Sequence, residues 1–380
     1  MIKITSPISI LEFASSHIRL AIYEDNMFSN QIFFEEKIDF TRQEKYFEDQ
    51  IISNLITKAE KNLGQHLNEI NIMIDSPSIY SLDFCVQKNY EKKNVTNNDI
   101  DYLINESENY IKINNKNKII IHKIKSNIYF DGEIINYTEN ISQKVSNLNL
   151  EIKFILIDKN VYNKIRDLFL KKHITLNKIL CTSYIKCLGL INKLGISGYN
   201  SFIDIGLKKS SLTIFQDHTL LYLHNTHIGG DHITKDISKI LNIDYRVAES
   251  KKLKFYKNSR QENKLNEDEF LKKIINSRLE EIIEILFLNC LHVKKNSFNS
   301  NLNLFFLGNG SKVLNENLLS FGPELNFIKE MSIIDENNFD CCNSAAEFIA
   351  KNKETETQKP LISIENKGFF EKLFGYFSKN

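Results

Sequence analysis

Three short segments carry residues suited to a phosphorylated ligand. Asp204-Ile205-Gly206 ends an apolar run. A carboxylate there can hold a metal-bound water near a phosphate, and a glycine lets the backbone approach it. Gly229-Gly230-Asp231 opens the segment that continues His232-Ile233-Thr234-Lys235-Asp236-Ile237. A double glycine before a helix exposes backbone N–H groups at the positive helix end, where anions bind. Gly308-Asn309-Gly310-Ser311-Lys312 follows another apolar run and lacks the G-x-x-x-x-G-K-[ST] spacing of a P-loop, leaving a strand-to-helix turn beside a base or sugar. Each segment also reads as a plain strand and turn. His224, His227 and His232 have a spacing open to metal, but no matched carboxylate or cysteine set accompanies them, so no metal site is assigned.

Periodicity supplies the elements that must position these residues. Residues 8–24 read as two β segments joined by an Ala14-Ser15-Ser16-His17 turn, followed by a strand at 31–38, a helix from Arg42 to Leu63 and a buried strand at 71–74. Between about 80 and 165 the texture changes. A strand at 81–87 leads into a helix at 97–113, with Thr96 as N-cap and Asp99 three residues on. Strands at 118–130 and 132–137 flank an Asp131-Gly132 hairpin, before a strand at 150–157 and a helix from Asn160 to Lys172. From Ser201 the opening pattern returns, with strands at 202–206, 211–215 and 219–224. Helices follow at 233–242, 246–256 and 266–293, then a strand at 302–307. Two hairpin-led α/β halves predict an internal duplication.

The chain has 380 residues, with 49 Lys+Arg against 48 Asp+Glu and a net charge of +1. At about 150 residues per domain this is two or three domains, large enough to bury a core without disulfides or structural metal. The balanced charge excludes a basic nucleic-acid binder. Cys85, Cys181, Cys187, Cys290, Cys341 and Cys342 show no metal or redox spacing, which suits a reducing compartment. Glu12, His17 and Arg19 interrupt the first apolar run, unlike a signal peptide. Ile282–Val293 is broken by Glu284, Asn289 and His292 and falls short of the roughly 20 residues of a membrane helix, so any membrane contact is expected to be peripheral.

Taken in order, Asp204-Ile205-Gly206, GGDHITKDI, Ala248-Glu249-Ser250-Lys251-Lys252 and LGNGS resemble the actin-like ATPase superfamily, specifically the bacterial cell-division protein FtsA family. The match is strongest from about 200 to 312. The resemblance implies an actin-like, duplicated ribonuclease-H-like α/β fold. Subdomain IA would take 1–80 and 166–197, with a final helix at 344–351. Subdomain IC would take 81–165, IIA 198–227 and 300–343, and IIB 228–299. It further implies ATP with Mg as cofactor. Ser15 and Ser16 would lie in the first phosphate hairpin, Asp204 and Gly206 in the second, and Gly229, Gly230 and Asp231 beside the phosphates. Glu249 and Lys252 would lie near ribose and base, with Gly308, Asn309, Gly310 and Ser311 at the adenosine. Implied partners are the FtsZ C-terminal tail docking in IIB, further copies of the chain in filaments, and other cell-division membrane proteins. The implied place is the cytoplasmic side of the membrane at the division site.

The hairpins depart from the family pattern. Glu12-Phe13-Ala14-Ser15-Ser16 replaces a DIG start, and Leu207-Lys208-Lys209-Ser210-Ser211 replaces GGTTD. Side chains thus stand where bare backbone would meet phosphate oxygens, and Lys208 or Lys209 would supply charge only as a flexible point. No catalytic residue is assigned, and hydrolysis is expected to be slow or absent.

Residues 352–366 read as a polar linker and 367–380 as an amphipathic helix. At 100° per residue, Phe369, Phe370, Leu373, Phe374 and Phe377 fall within an arc of about 140°. Lys372 and Lys379 lie opposite and Lys367 at the border, a pattern suited to lying on a lipid bilayer surface. The other readings are docking of this helix on the chain's own core, a PilM-like pilus-assembly scaffold, and an active kinase or chaperone of the same superfamily.

Overall fold

The apolar runs on either side of Ala14-Ser15-Ser16 fold back on each other, and those around residues 206–209 do the same, so one sheet motif is built twice. The computed structural model describes residues 7–24, 31–38, 49–135, 141–259, 268–288, 290, 301–314, 327–335 and 340–352. β1 (Ile8–Phe13) and β2 (His17–Tyr23) pair antiparallel, with Glu12 opposite Arg19. β3 (Gln31–Lys37) adds to β2, with Arg19 opposite Glu35. α1 (Asp49–Leu63) buries Ile52, Leu55, Ile56 and Ala59 at helical spacing, and β4 (Glu69–Ile74) then runs parallel to β1.

A separate antiparallel sheet follows, made of β5 (Tyr80–Thr96), β6 (Lys118–Phe130), β7 (Glu133–Ile135) and β8 (Ser142–Asp158), with α2 (Asn97–Asn114) between β5 and β6. Its strand order is β5-β8-β6-β7. Asp131 and Gly132 turn the β6–β7 hairpin with φ of 49° and 92°, the left-handed pair that a two-residue turn requires. Thr96 is the N-cap of α2 as expected, in a capping box with Asp99, whose carboxylate accepts from the Thr96 N–H at 2.9 Å and from its hydroxyl at 2.8 Å. β5 and β8 are longer than their apolar patterns predict. The extra length of β5 is largely exposed and polar, and Glu91 and Lys92 adopt positive φ where the register shifts.

α3 (Lys159–Leu170) returns the chain to the first sheet through β9 (Thr175–Cys181), parallel to β4, and α4 (Thr182–Leu194) ends at left-handed Gly195. The second half opens with the meander β10 (Tyr199–Ile205), β11 (Ser210–Gln216) and β12 (Thr219–Thr226). Next come α5 (Gly230–Leu241), α6 (Tyr245–Ser259), α7 (Asp268–Phe287) and β13 (Leu302–Leu307), parallel to β10. A 3-10 turn at Asn309–Val313, β14 (Ile328–Ile333) and α8 (Asp340–Asn352) complete the described chain.

The first sheet runs β3-β2-β1-β4-β9 and the second β12-β11-β10-β13-β14. Both are a three-strand meander extended by two parallel strands, which is the duplication the sequence predicts. Each of the three sheets has its own core, typified by Ile10 and Ile72, by Ile203 and Leu304, and by Leu148 and Phe154. β9, α4 and β14 have no counterpart in the pattern reading, because their apolar runs are short or adjoin another element. The expected helix at 42–63 is described from Asp49, and that at 266–293 spans Asp268–Phe287; their remaining residues other than Leu288 and Cys290 lie outside the described residues, as do the linker (from 353) and the helix at 367–380. No described helix is long and apolar enough to cross a membrane. All six cysteines are thiols.

α4 and α8 approach closely at Gly189, where an added Cβ would lie 2.1 Å from Ser344 Oγ. Gly189→Ala is expected to destabilise by about 1–3 kcal/mol in urea melts, and Ser344→Gly in the same chain to recover much of that loss. A second contact ties the third sheet to the first. Buried His122 on β6 accepts the Cys181 N–H at 2.9 Å and meets Tyr184 and Phe348 edge-on. Burial, with Lys178 adding to it, pushes His122 down to about 3. The imidazole is therefore neutral in the fold but takes a proton in the unfolded chain below about pH 6.5. Its contribution is complete above that pH and shrinks as pH falls towards about 3. His122→Gln should flatten this part of the stability–pH curve in urea melts at stepped pH, whatever it does to stability at neutral pH.

Candidate functional site

The two duplicated hairpin turns face each other across a cleft of about 520 Å³. The turns also touch directly: the Lys208 N–H donates to Ser15 Oγ at 3.3 Å. Each hairpin ends its first strand in an acid, seven residues before the position opposite it in the second strand. In the first hairpin Glu12 faces Arg19, whose guanidinium bonds Glu12 Oε2 at 3.0 Å and Glu35 Oε2 at 2.7 Å. Burial alone would raise Glu35, but the hydrogen bond and charge of Arg19 outweigh it and hold that carboxyl below its usual range. Burial and the neighbouring Arg19 push His17 down, so its ring is neutral; its Nδ1 pairs with Ser16 Oγ at 2.8 Å.

In the second hairpin Ser211 stands opposite Asp204, and no cation comes from the partner strand. The cation comes from α4 instead, as Lys186 Nζ lies 2.5 Å from Asp204 Oδ2. A third lysine, Lys209 in the turn, donates to the Asp75 main-chain carbonyl just beyond β4. The Asp75 carboxyl is fully enclosed, and burial pushes it up despite Lys209 and hydrogen bonds at 3.1 Å from the Ser183 N–H and hydroxyl.

The α5 terminus differs from its sequence reading. The Gly230 N–H donates to Gly206 O at 2.9 Å and the Asp231 N–H to Leu207 O at 2.7 Å. These helix-end donors hold the neighbouring turn rather than pointing into the cleft. Gly229 is required by that approach, since a Cβ would come within 2.7 Å of Gly206 O. Asp231 turns to Lys235 and Tyr245, each at 2.6 Å. Burial would raise it, yet those two partners keep it below the usual carboxylate range.

The other end of the cleft combines apolar walls with one ion pair. Ile233, Leu253 and Val313 line it beside Glu249 and Lys252, whose charged atoms are 2.7 Å apart. Lys252 also donates to Gly230 O at 3.0 Å and Thr234 Oγ1 at 2.7 Å, which fixes α6 on α5. Gly308 has φ of 80°, and a Cβ there would meet Asp204 Oδ1 at 2.2 Å, so the turn at 308–311 packs directly on the acid-bearing strand. Ser311 Oγ donates to Gly308 O at 2.7 Å and closes that turn.

Of the residues named from sequence, Ser15, Ser16, Asp204, Gly206, Gly230, Glu249, Lys252, Gly308, Asn309 and Gly310 line the cleft. Gly229, Asp231 and Ser311 support it from behind. Arg19, Asp75 and Lys186 line it too and were not named. The seven-residue step from Glu12 to Arg19 across a hairpin is a legible signal; Lys186, remote in sequence from Asp204, carries none. The apolar walls at this end, with Lys312 also lining it, can enclose a flat ring. Magnesium fits poorly. The acid of each hairpin is already bonded by a cation of the chain, and among the described residues no three His, Cys, Asp or Glu side chains gather to hold a metal.

Comparison with known proteins gives a consistent picture. Residues 201–305 match the family model of "Cell division protein FtsA". The FtsA of Helicobacter pylori (strain ATCC 700392 / 26695) is 22% identical over 142 residues, covering 36% of this chain and 28% of that protein. The FtsA of Enterococcus faecalis (strain ATCC 700802 / V583) is 21% identical over 261 residues, covering 62% and 57%. The chain thus matches well under two thirds of either relative's length. Among solved structures, a PilM–PilN type IV pilus biogenesis complex matches with a TM-score of 0.57 and 12% identity, over 92% of this chain and 95% of that one. MreB5 of Spiroplasma citri bound to ADP matches with a TM-score of 0.50 and 10% identity, over 93% and 99%. The fold is that of the actin-like ATPases, and in sequence the chain is a divergent, FtsA-like one.

Arg19 bonds both Glu12 and Glu35 across the β1–β2–β3 ladder. Arg19→Met should therefore cost about 3 kcal/mol at neutral pH, since it leaves two opposed carboxylates largely out of water. That loss should lessen at low pH, where Glu35, held low in wild type by Arg19, takes a proton and no longer gains from the pairing, a trend that paired melts of wild type and variant would reveal.

Proposed function

We propose that this FtsA-like chain of actin-like fold is a division protein that polymerises on the inner face of the cytoplasmic membrane. There it tethers FtsZ filaments and other division membrane proteins during septum assembly. The observation that carries the reading is the FtsA match over residues 201–305, the stretch that builds the second hairpin, α5 to α7 and most of β13. The FtsZ C-terminal tail would dock on the α5–α7 region. ATP, where bound, would place its base and sugar at the apolar end of the cleft, between the 308–311 turn and Lys252. Turnover would be slow or absent, because the hairpin acids that would position metal and water are engaged by Arg19 and Lys186.

The lipid contact is assigned to residues 367–380. That segment carries Lys367, Lys372 and Lys379 against Glu371, beside an apolar face of Phe369, Phe370, Leu373, Phe374 and Phe377. Each large side chain yields at most about 1.5–3 kcal/mol on full burial, and interfacial burial is partial. Helix nucleation subtracts from that sum. One tail therefore binds lipid modestly, while an array on a filament binds firmly through effective concentration. Self-assembly thus becomes a condition of membrane attachment.

The likeness to PilM in the PilM–PilN complex supports a second reading, a pilus-assembly scaffold that binds a partner protein on the same fold. Co-sedimentation separates the two. The full chain should pellet with vesicles containing anionic lipid and should carry FtsZ with it. A chain lacking 367–380, or one carrying Phe370→Glu with Phe374→Glu, should leave both in the supernatant. Undiminished lipid binding after truncation would remove the tether reading.

A further inference from the structure

Among the described residues, several hydrogen bonds join the two duplicated halves directly, four of them around the hairpin turns and α4. Lys186 on α4 reaches Asp204 at the end of β10, and Lys209 in the second hairpin turn reaches the Asp75 carbonyl beyond β4. The Lys208 N–H reaches Ser15 Oγ, and Thr213 Oγ1 meets Cys187 Sγ at 3.1 Å. The first two are made by ammonium groups. The Lys186 and Asp204 side chains are 7% and 19% exposed, so their pairing is little screened by solvent.

An ammonium bonded to a hairpin acid does the electrostatic work that a divalent cation would do at that acid. It neutralises the acid and draws the opposite half toward it. Unlike a metal, it stays covalently attached and brings no exchangeable water. The donors at the start of α5 are likewise committed to the carbonyls of Gly206 and Leu207, within the protein.

We propose that Lys186 and Lys209 replace a metal-bound ligand as the bridge between the two halves, so that the cleft is held closed by the chain itself. Closure then needs neither a divalent cation nor a nucleotide. The bridge involves no residue of the lipid-binding tail, so its test uses no membrane and its outcome is independent of the tethering reading.

The test is hydrogen exchange and thermal melting of the full chain in EDTA, in magnesium chloride, in ATP with EDTA and in ATP with magnesium. In wild type, exchange at residues 204–210 should be the same in all four, within about twofold, as expected when the closed state is populated before any ligand arrives. Lys186→Met exposes the Asp204 carboxylate to the cleft. This variant should exchange faster at 204–210, melt at lower temperature, and recover part of both when magnesium is added. The double variant Lys186→Met with Asp204→Asn has neither charge, and should melt nearer wild type with no response to magnesium. Wild-type protection that appears only with ATP, with or without magnesium, would overturn the proposal. So would a folded Lys186→Met chain that ignores magnesium. If Lys186→Met does not fold, the four wild-type conditions and the double variant still decide.

Discussion

A carboxylate brought to the junction of two apolar sheets loses its water, and the penalty of several kcal/mol must be answered on the spot. This fold meets that demand twice, because duplication puts an acid at the end of the first strand in each half. Glu12 is answered by Arg19 across its own hairpin. Asp204 faces Ser211 there, and is answered by Lys186 from the other half of the molecule. The asymmetry has a structural result. The first acid is compensated within its own sheet, whereas the second can be compensated only if the halves come together. A serine rather than a cation opposite Asp204 thereby makes the arrangement of the two halves part of the stability of the second.

The surrounding backbone is shaped around this convergence. Gly308 lies so close to Asp204 that no side chain fits, and Gly229 likewise leaves no room for one beside the carbonyls of the 206–209 turn. The α5 end holds those carbonyls with two N–H bonds, spending the positive helix terminus on the protein's own turn. The polar groups at the centre of the cleft thus satisfy one another to a large degree. What stays open is the apolar end near Leu253 and Val313, where a ring can rest without bringing charge.

Much of this was legible in the sequence. The recurrence of a strand-turn-strand run predicts the duplication, and the glycines at 229–230 and 308–310 sit where close approach requires them. The Glu12–Arg19 pair is also recoverable once the 14–17 turn sets the hairpin register. The Lys186–Asp204 pair is not, because it depends on how α4 is placed against β10, which no local pattern encodes. The commitment of the Gly230 and Asp231 N–H groups escaped for a related reason. A glycine pair before a helix predicts exposed donors, but only the packed turn shows that carbonyls already occupy them. The full length of β5 is hidden for the opposite reason: its outer residues are polar and solvated, so no alternation marks them.

A cleft compensated by its own cations suits a protein whose proposed work is mechanical. Polymer contacts need a fixed relation between the two halves of each subunit, and a cycle of hydrolysis would disturb it. With that relation set by Lys186 and Lys209, each subunit can present the same surfaces to its neighbours whatever the nucleotide supply. The modest lipid affinity expected of one tail then makes filament length the variable that governs attachment, through effective concentration. On this reading the loss of family residues in the hairpins and the reliance on an arrayed tail are linked. As the chain's own lysines take over closure, control passes from the cleft to assembly.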